Sequence, residues 1–302
     1  MAFYMLVGVS GSGKSTFAER IKHCGELEKE DVEIFSSDEI RKELYGDASI
    51  QKDHEKVFRI LHKRVKEALL QGKSAVYDAC NLSARRRKAF LQEISKYNCK
   101  KICIVIASDY DSCVENQKKR DRKVPVEVIK RQIKSFQLPD KTEGWDDIQF
   151  YSPFHNFSLD EELQSLMTES HDSPYHSLTI GEHMVRCANW ASMYYYPLCI
   201  TLACKYHDIG KGFCKSFRNS KNEVTNIAHY YSHENVSTYM ILSSKEYWEQ
   251  WSKQDRKNVP FMVQHHMEFY NNKERFGEKY KDFNNLLVLN TEILHEFDTM
   301  SH

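Results

Sequence analysis

Residues 8–16 read Gly8-Val-Ser-Gly11-Ser-Gly13-Lys14-Ser15-Thr16, a complete G-x-x-x-x-G-K-[ST] loop that follows directly on the apolar run Phe3–Val7. Few folds accommodate this pattern. Its glycines let successive backbone N–H groups turn inward round a phosphate chain, the Lys14 ammonium reaches the terminal oxygens, and the Ser15 hydroxyl opens the next helix, where it can hold Mg²⁺. Gly8, Ser10, Gly11, Ser12, Gly13, Lys14, Ser15 and Thr16 are therefore the candidate nucleotide site, with ATP or another nucleoside triphosphate and Mg²⁺ as cofactors. A glycine-rich turn without nucleotide is the competing reading, and the order strand, loop, helix argues against it.

The 302-residue chain has room for two domains of ordinary size. Its first half alternates strand-like and amphipathic helical runs: Phe3–Val7, Phe17–Cys24, Val32–Phe35, Glu55–Leu70, Ser74–Tyr77, Arg85–Tyr97, Lys101–Ala107 and Val126–Phe136. Such alternation predicts an α/β domain, residues 1–152, built on a parallel sheet covered on both faces. Periodicity fades between Leu138 and Phe150, and the turn-forming Ser152-Pro153, His155-Asn156 and Asp172-Ser-Pro174 place a linker at 153–175. From His176 the apolar spacing is helical, in Ile180–Tyr194, Leu198–His207, Glu234–Ser243, Pro260–His266 and Phe283–Phe297, which predicts an all-α second domain over 176–302.

Lys plus Arg equals Asp plus Glu at 43 each, so any polyanion-binding surface is a local patch. The nine cysteines are scattered without C-x-x-C pairs, no leader peptide is recognisable, and no 18-residue apolar stretch occurs. A cytoplasmic protein with free thiols, no structural zinc and no membrane partner is expected.

Three segments near strand ends can receive an acceptor. In Ser36-Ser-Asp38-Glu-Ile-Arg41, Asp38 can take a proton from an attacking hydroxyl while Arg41, one helical turn on, grips a phosphate. In Asp78-Ala-Cys-Asn81-Leu-Ser-Ala-Arg85-Arg86-Arg87, a strand-end acid precedes three arginines that suit either a solvated helix face or an acceptor backbone. Asn116 to Pro125, with Lys118, Lys119, Arg120, Arg122 and Lys123, is a basic segment able to close over a triphosphate, or else a charged helix end.

Together these motifs resemble the P-loop polynucleotide 5′-kinase domain of phage and bacterial end-healing enzymes, over about half of the chain. The resemblance implies a kinase fold. It makes Asp38 the general base toward a 5′-OH and Arg41 a ligand of the acceptor's 3′-side phosphate. Lys14 and Ser15 become the ATP–Mg²⁺ site, Arg120 or Arg122 the lid arginine, and Asp78, Asn81 and Arg85 further acceptor contacts. One departure is Glu115-Asn116, where that family often has Arg-Asn.

The second half carries the doublet His207-Asp208 in His-Asp-Ile-Gly-Lys211, reached 24 residues after His183, with His233, His265-His266 and Asp298 further on. Adjacent helix positions lie about 100° apart, so both members of the doublet can serve one ion or two neighbouring ions. The ordered set resembles the metal-dependent phosphohydrolases named for their His-Asp doublet, the HD superfamily. That resemblance assigns one metal to His183, His207, Asp208 and a late acid, Asp298 being preferred over Asn290 and Glu292. His233 and His266 match positions that ligate a second metal in dinuclear members, so one or two divalent metals are expected, and Lys211 matches a residue that binds a substrate phosphate; His229 and His265 are weaker candidates. Mn²⁺, Fe²⁺, Co²⁺, Ni²⁺ and Zn²⁺ all suit such nitrogen and oxygen donors.

A 5′-kinase joined to such a phosphohydrolase implies an enzyme that prepares both ends of a broken RNA or DNA strand, the second activity clearing a 3′-phosphate or 2′,3′-cyclic phosphate. Known fusions commonly have the opposite order. Lys141-Thr-Glu-Gly144 only approaches a ligase nucleophile motif, so sealing falls to a separate ligase. A kinase of nucleosides or small metabolites joined to a nucleotide phosphohydrolase is one alternative, and a non-catalytic nucleotide sensor is another. Self-association is left open. Tyr194-Tyr195-Tyr196 and Tyr230-Tyr231 either pack internally or stack on bases.

Overall fold

The computed structural model describes residues 1–28, 30–119, 123–174, 177–281 and 285–301. The chain forms two units, Met1–Gln132 with Pro139–Phe154, and Ile133–Leu138 with His155–His302.

The first unit is built on a five-stranded sheet of order β2-β3-β1-β4-β5 with every neighbouring pair parallel. Its elements are β1 (Ala2–Val7), α1 (Lys14–Leu27), β2 (Val32–Ser36), α2 (Ser37–Tyr45), α3 (His54–Leu70), β3 (Ser74–Asp78), α4 (Ala84–Glu93), β4 (Lys100–Ile106), α5 (Tyr110–Lys118), α6 (Val126–Lys134) and β5 (Asp147–Tyr151). Strands β1, β3 and β4 are apolar at consecutive positions because helices cover both faces. Leu6, Val76, Ile104 and Ile106 pack with Ala18 of α1 on one face, and Phe3 and Tyr77 meet Phe90 of α4 on the other, with ring centroids 5.5 and 5.2 Å apart. The chain runs from β1 to one side of the sheet and later to the other. The crevice that collects ligands in such sheets therefore opens at the carboxyl end of β1, where the glycine loop begins.

Strand β5 falls where periodicity fades in the sequence. It is a five-residue edge strand in register with β4, Ile102 opposite Asp147 and Ile106 opposite Tyr151, and no residue of it is fully buried. Short α2 and α5 follow their strands directly, capped by the Ser36 hydroxyl and the Asp109 carboxylate.

The three consecutive arginines of α4 do not act alike. Arg85 and Arg86 are exposed, whereas Arg87 is fully buried. Its Nε and Nη2 donate to both oxygens of Glu143 at 2.8 and 2.6 Å, and Nη1 donates to the carbonyls of Asn81 and Leu82, each at 3.0 Å. Trp145 Nε1 donates to the same carboxylate at 3.0 Å. Lys141-Thr-Glu-Gly144 is thus a buried anchor for α4. Glu143→Ala leaves an uncompensated guanidinium inside and is expected to cost about 3–5 kcal/mol in urea unfolding of this unit; an unchanged midpoint contradicts the anchor.

The second unit contains α7 (Leu159–Leu166), α8 (Ile180–Met193), α9 (Leu198–Tyr206), α10 (Lys211–Cys214), the hairpin β6 (Ser216–Arg218) and β7 (Val224–His229), α11 (His233–Leu242), α12 (Lys253–Asn271), α13 (Lys273–Tyr280) and α14 (Asn285–Met300). It is helical, as its periodicity predicts, apart from this antiparallel hairpin, whose short strands carry too little apolar alternation to be read. Helix α7 occupies the segment expected to be a linker. It begins at Ser158, whose hydroxyl accepts from Glu161 N–H, and carries three acids in its first turn. Helix α8 starts in a capping box of Thr179 and Glu182. No helix among the described residues is long and apolar enough to cross a membrane, and all nine cysteines are free.

Candidate functional sites

In the first unit, Gly8–Gly13 connects β1 to α1. At Gly11, φ is +88°, and a Cβ there would lie 2.3 Å from the Cys113 carbonyl oxygen, so only glycine serves. The Asn116 amide donates to Gly11 O at 2.9 Å, Ser108 Oγ donates to Ser12 O at 3.0 Å, and Ser10 N–H donates to Gln132 Oε1 at 2.7 Å. Lys14 is buried with Nζ donating to Val9 O at 2.8 Å, and Thr16 is exposed one position beyond Ser15. A crowded glycine loop with a buried ammonium at the start of a helix is the kind of cradle a triphosphate requires.

Asp78, expected among the acceptor's contacts, comes instead to the phosphate loop: Ser15 Oγ donates to its Oδ2 at 2.9 Å. The reason is strand order. Strand β3 is the immediate neighbour of β1, so its last residue reaches the start of α1, and the two oxygens together are suited to Mg²⁺. Strand β2 lies one place further out, with Ser36 opposite Asp78, and carries Asp38 and Arg41 on α2. Asp38 Oδ1 lies 3.6 Å from Arg41 Nη1. Arg41 is buried, with Nη1 donating to Ser37 O at 3.1 Å and Nη2 3.2 Å from His54 Nδ1. Asn81 donates from Nδ2 to the Leu6 and Ala79 carbonyls at 2.8 and 3.3 Å, which ties the β3–α4 turn to β1. Arg120 and Arg122 lie outside the described residues.

The second unit brings six predicted residues into two groups joined by one carboxylate. His183, His207, Asp208 and Asp298 form one; Asp208, His233 and His266 form the other. His183 Nε2 lies 2.9 Å from Asp298 Oδ1 and 3.3 Å from His207 Nε2, and His207 Nε2 lies 3.3 Å from both Asp298 Oδ1 and Asp208 Oδ2. Across the carboxylate, His233 Nε2 is 3.1 Å from Asp208 Oδ1 and 3.1 Å from His266 Nε2. Neighbouring donors round a metal with bonds of about 2.1 Å stand about 3 Å apart, so each group has the spacing of one coordination sphere.

All four rings are oriented alike. Nδ1 of His183, His207, His233 and His266 faces the carbonyl of Ser301, Cys204, Tyr230 and Val263 at 3.3, 2.9, 3.0 and 2.7 Å. A backbone carbonyl that takes the Nδ1 proton fixes the tautomer and turns Nε2 inward as a donor. Two such nitrogens at 3.1–3.3 Å need a cation between them, a shared proton or a metal ion. Their placement follows the elements: α8 carries His183, the turn after α9 carries His207-Asp208, α11 opens with His233, α12 carries His266 and the end of α14 carries Asp298. Gly210 lets the doublet's turn approach α11, since a Cβ there would lie 2.6 Å from Ser237 N.

Asn290 is buried, and Glu292 pairs with Lys273. His265 turns to Glu268 and the Tyr280 hydroxyl, at 2.8 and 3.2 Å, and His229 to Thr225 at 3.1 Å. Lys211 Nζ lies 2.6 Å from Asp208 Oδ2. His171, unremarked in the sequence, is fully buried beside Lys211, its Nε2 3.5 Å from Nζ. A lone histidine in a turn-rich stretch carries no signal that distinguishes it.

Burial would lower the pKa of His207, but the Asp208 and Asp298 carboxylates outweigh it and hold that ring well above its ordinary value. Burial lowers His266 to about 3, assisted by His233 and His207, and lowers His171 to about 4, assisted by Lys211. In metal-free protein these two rings bind protons on unfolding between about pH 6.5 and pH 4, while His207 is protonated in both states. Stability of the helical unit therefore falls with falling pH across that window, at most about 1.4 kcal/mol per pH unit for each ring. Thermal unfolding in chelator at pH 6.5, 5.5 and 4.5 measures it, and a flat or rising midpoint contradicts the assignment.

Comparison with known proteins agrees with the first unit. Residues 3–139 match the AAA_33 family, described as an AAA domain. A presumed kinase from Chloroflexus aurantiacus J-10-fl is 14% identical over 51% of this chain and 88% of its own, with a TM-score of 0.39. A gluconokinase from Sinorhizobium meliloti 1021 is 18% identical over 49% of this chain and 81% of its own, with a TM-score of 0.34. By its sheet, its phosphate loop and this family match, the amino-terminal unit is a P-loop α/β domain, for which ATP and Mg²⁺ are the implied cofactors.

Proposed function

We propose that the chain heals both ends of a broken nucleic-acid strand, phosphorylating a 5′-OH with its amino-terminal domain and clearing a 3′-phosphate or 2′,3′-cyclic phosphate with an HD-type phosphohydrolase domain. The observation that carries the reading is the pair of histidine groups bridged by Asp208 in a chain that also has a complete phosphate loop.

In the first domain, Lys14 and the loop amides hold the triphosphate, and Ser15 with Asp78 holds Mg²⁺. Asp38 takes the proton of the attacking hydroxyl, Arg41 holds the acceptor's 3′-side phosphate, Arg85 lies on the exposed face of α4 for a longer strand, and Arg120 or Arg122 closes over the transferring group. In the second, His183, His207, Asp208 and Asp298 would hold one divalent metal and Asp208, His233 and His266 a second. When bound, such metals supply an acidified water and a polarised phosphoryl group. Asp208 would offer one oxygen to each group, and Lys211 would neutralise a phosphoryl oxygen. A separate ligase would seal the product, and the site of action is the cytoplasm.

Acceptor length tests the kinase half. A 5′-OH oligonucleotide and a nucleoside 3′-phosphate should be phosphorylated at least about tenfold better than the bare nucleoside, with Arg41→Gln erasing the difference. Equal use of the bare nucleoside by the wild type establishes a small-acceptor kinase instead.

A further inference from the structure

His171 stands in the short stretch between α7 and α8, outside both metal groups, yet it is built like a member of them. Its Nδ1 faces the Leu178 carbonyl at 2.9 Å, and its own carbonyl accepts from the Tyr230 hydroxyl at 2.6 Å. Both the ring and the backbone are thereby fixed. The ring meets His183 edge-on, with centroids 5.8 Å apart, and Tyr230 likewise at 6.2 Å. With the Nδ1 proton on Leu178 O, Nε2 presents a lone pair, and the group it faces is Lys211 Nζ at 3.5 Å.

An ammonium has three N–H donors. One is directed by Asp208 Oδ2 at 2.6 Å and a second by His171 Nε2, while the Tyr230 ring flanks the charge with its centroid 5.5 Å away. On Asp208 alone, the four-carbon chain of Lys211 could rotate about a single contact. The second acceptor removes that freedom, so the third N–H keeps one direction.

We propose that His171 is a positioning residue for phosphate: it holds Lys211 so that the remaining N–H meets a phosphoryl oxygen of the substrate beside the metal groups. The inference rests on the phosphohydrolase reading above. His171 itself neither binds metal nor transfers a proton in it.

The test uses full-length protein loaded with Mn²⁺, with inorganic phosphate as probe, and compares wild type, His171→Ala, His171→Gln, Lys211→Ala and the His171→Ala/Lys211→Ala double variant. Three quantities are read: bound manganese, phosphate affinity by calorimetry, and KM against kcat on a 3′-phosphorylated oligonucleotide. His171→Ala should keep its manganese, bind phosphate about tenfold more weakly and show the loss in KM more than in kcat. His171→Gln, whose amide oxygen can accept from Lys211, should recover most of it. The double variant should bind phosphate no more weakly than Lys211→Ala, because the two residues act through one contact. The proposal is overturned if His171→Ala binds phosphate normally, if it loses manganese in step with phosphate, or if the two losses add. Wild-type protein that holds manganese and binds no phosphate overturns the phosphohydrolase reading and this inference with it.

Discussion

On the proposed function, Asp208→Asn should abolish 3′-end clearing, lowering its rate by at least about a thousandfold, and should leave 5′-phosphorylation at the wild-type rate. Among the described residues, no other belongs to both groups. Its Oδ2 lies 3.3 and 3.6 Å from His207 and His183 Nε2, its Oδ1 lies 3.1 and 3.9 Å from His233 and His266 Nε2, and Lys211 rests on it at 2.6 Å. Lys211 and His207 hold this carboxyl well below its usual range against the opposing effect of burial, so it is an anion ready for metal. Replacing it with a neutral amide of the same shape removes half of the carboxylate charge of the first group, all of that of the second, and the counterion of a buried lysine. Metal analysis should therefore show fewer than one ion per chain where the wild type is expected to hold two. Retention of both ions, or clearing within tenfold of wild type, would sink the shared-carboxylate account.

Lys14→Ala has the complementary effect. Transfer from ATP should fall by about a thousandfold or more, since electrostatic stabilisation of the transferring phosphoryl group is the main contribution a P-loop makes. Metal content and 3′-end clearing should not change. Lys14→Arg should fail nearly as badly, because a buried point charge beside Val9 O leaves no room for a planar fork. Steady-state assays of both activities on the same preparation read all of these results. A Lys14→Ala protein that still phosphorylates 5′ ends would mean that the loop is not the donor site.

The sequence announces those parts whose chemistry needs a fixed local order. The glycine loop is contiguous and its geometry follows from backbone sterics, so Gly8–Thr16 and β1 could be placed without any structure. The histidine set was legible because His183 and His266 sit within helices, His233 opens one and the doublet is adjacent in sequence. What depends on remote partners was not. The sequence cannot show that Asp78 meets Ser15, because the order β2-β3-β1 decides it. Nor can it separate Arg87 from Arg85 and Arg86 until Glu143, 56 residues away, is seen to bury it. Strand β5 hides because an edge strand of five residues has one neighbour and half-buried side chains. Helix α7 hides behind the turn residues that surround it, although Ser158 and three following acids are a readable helix start. His171 has no motif at all; its role comes from what Lys211, Leu178 and Tyr230 surround it with.

The most direct measurement takes one synthetic RNA strand and one DNA strand, each with a 5′-OH and a 3′-phosphate, incubates them with the protein, ATP, Mg²⁺ and Mn²⁺, and reads both ends by mass spectrometry. The account predicts a gain of phosphate at the 5′ end that disappears in Lys14→Ala and a loss at the 3′ end that disappears in Asp208→Asn, with the preferred sugar identified by whichever strand reacts faster. Strands whose 3′ ends never change would contradict the end-healing phosphohydrolase, and strands unchanged at both ends while ATP is consumed on small acceptors would contradict the polynucleotide account as a whole.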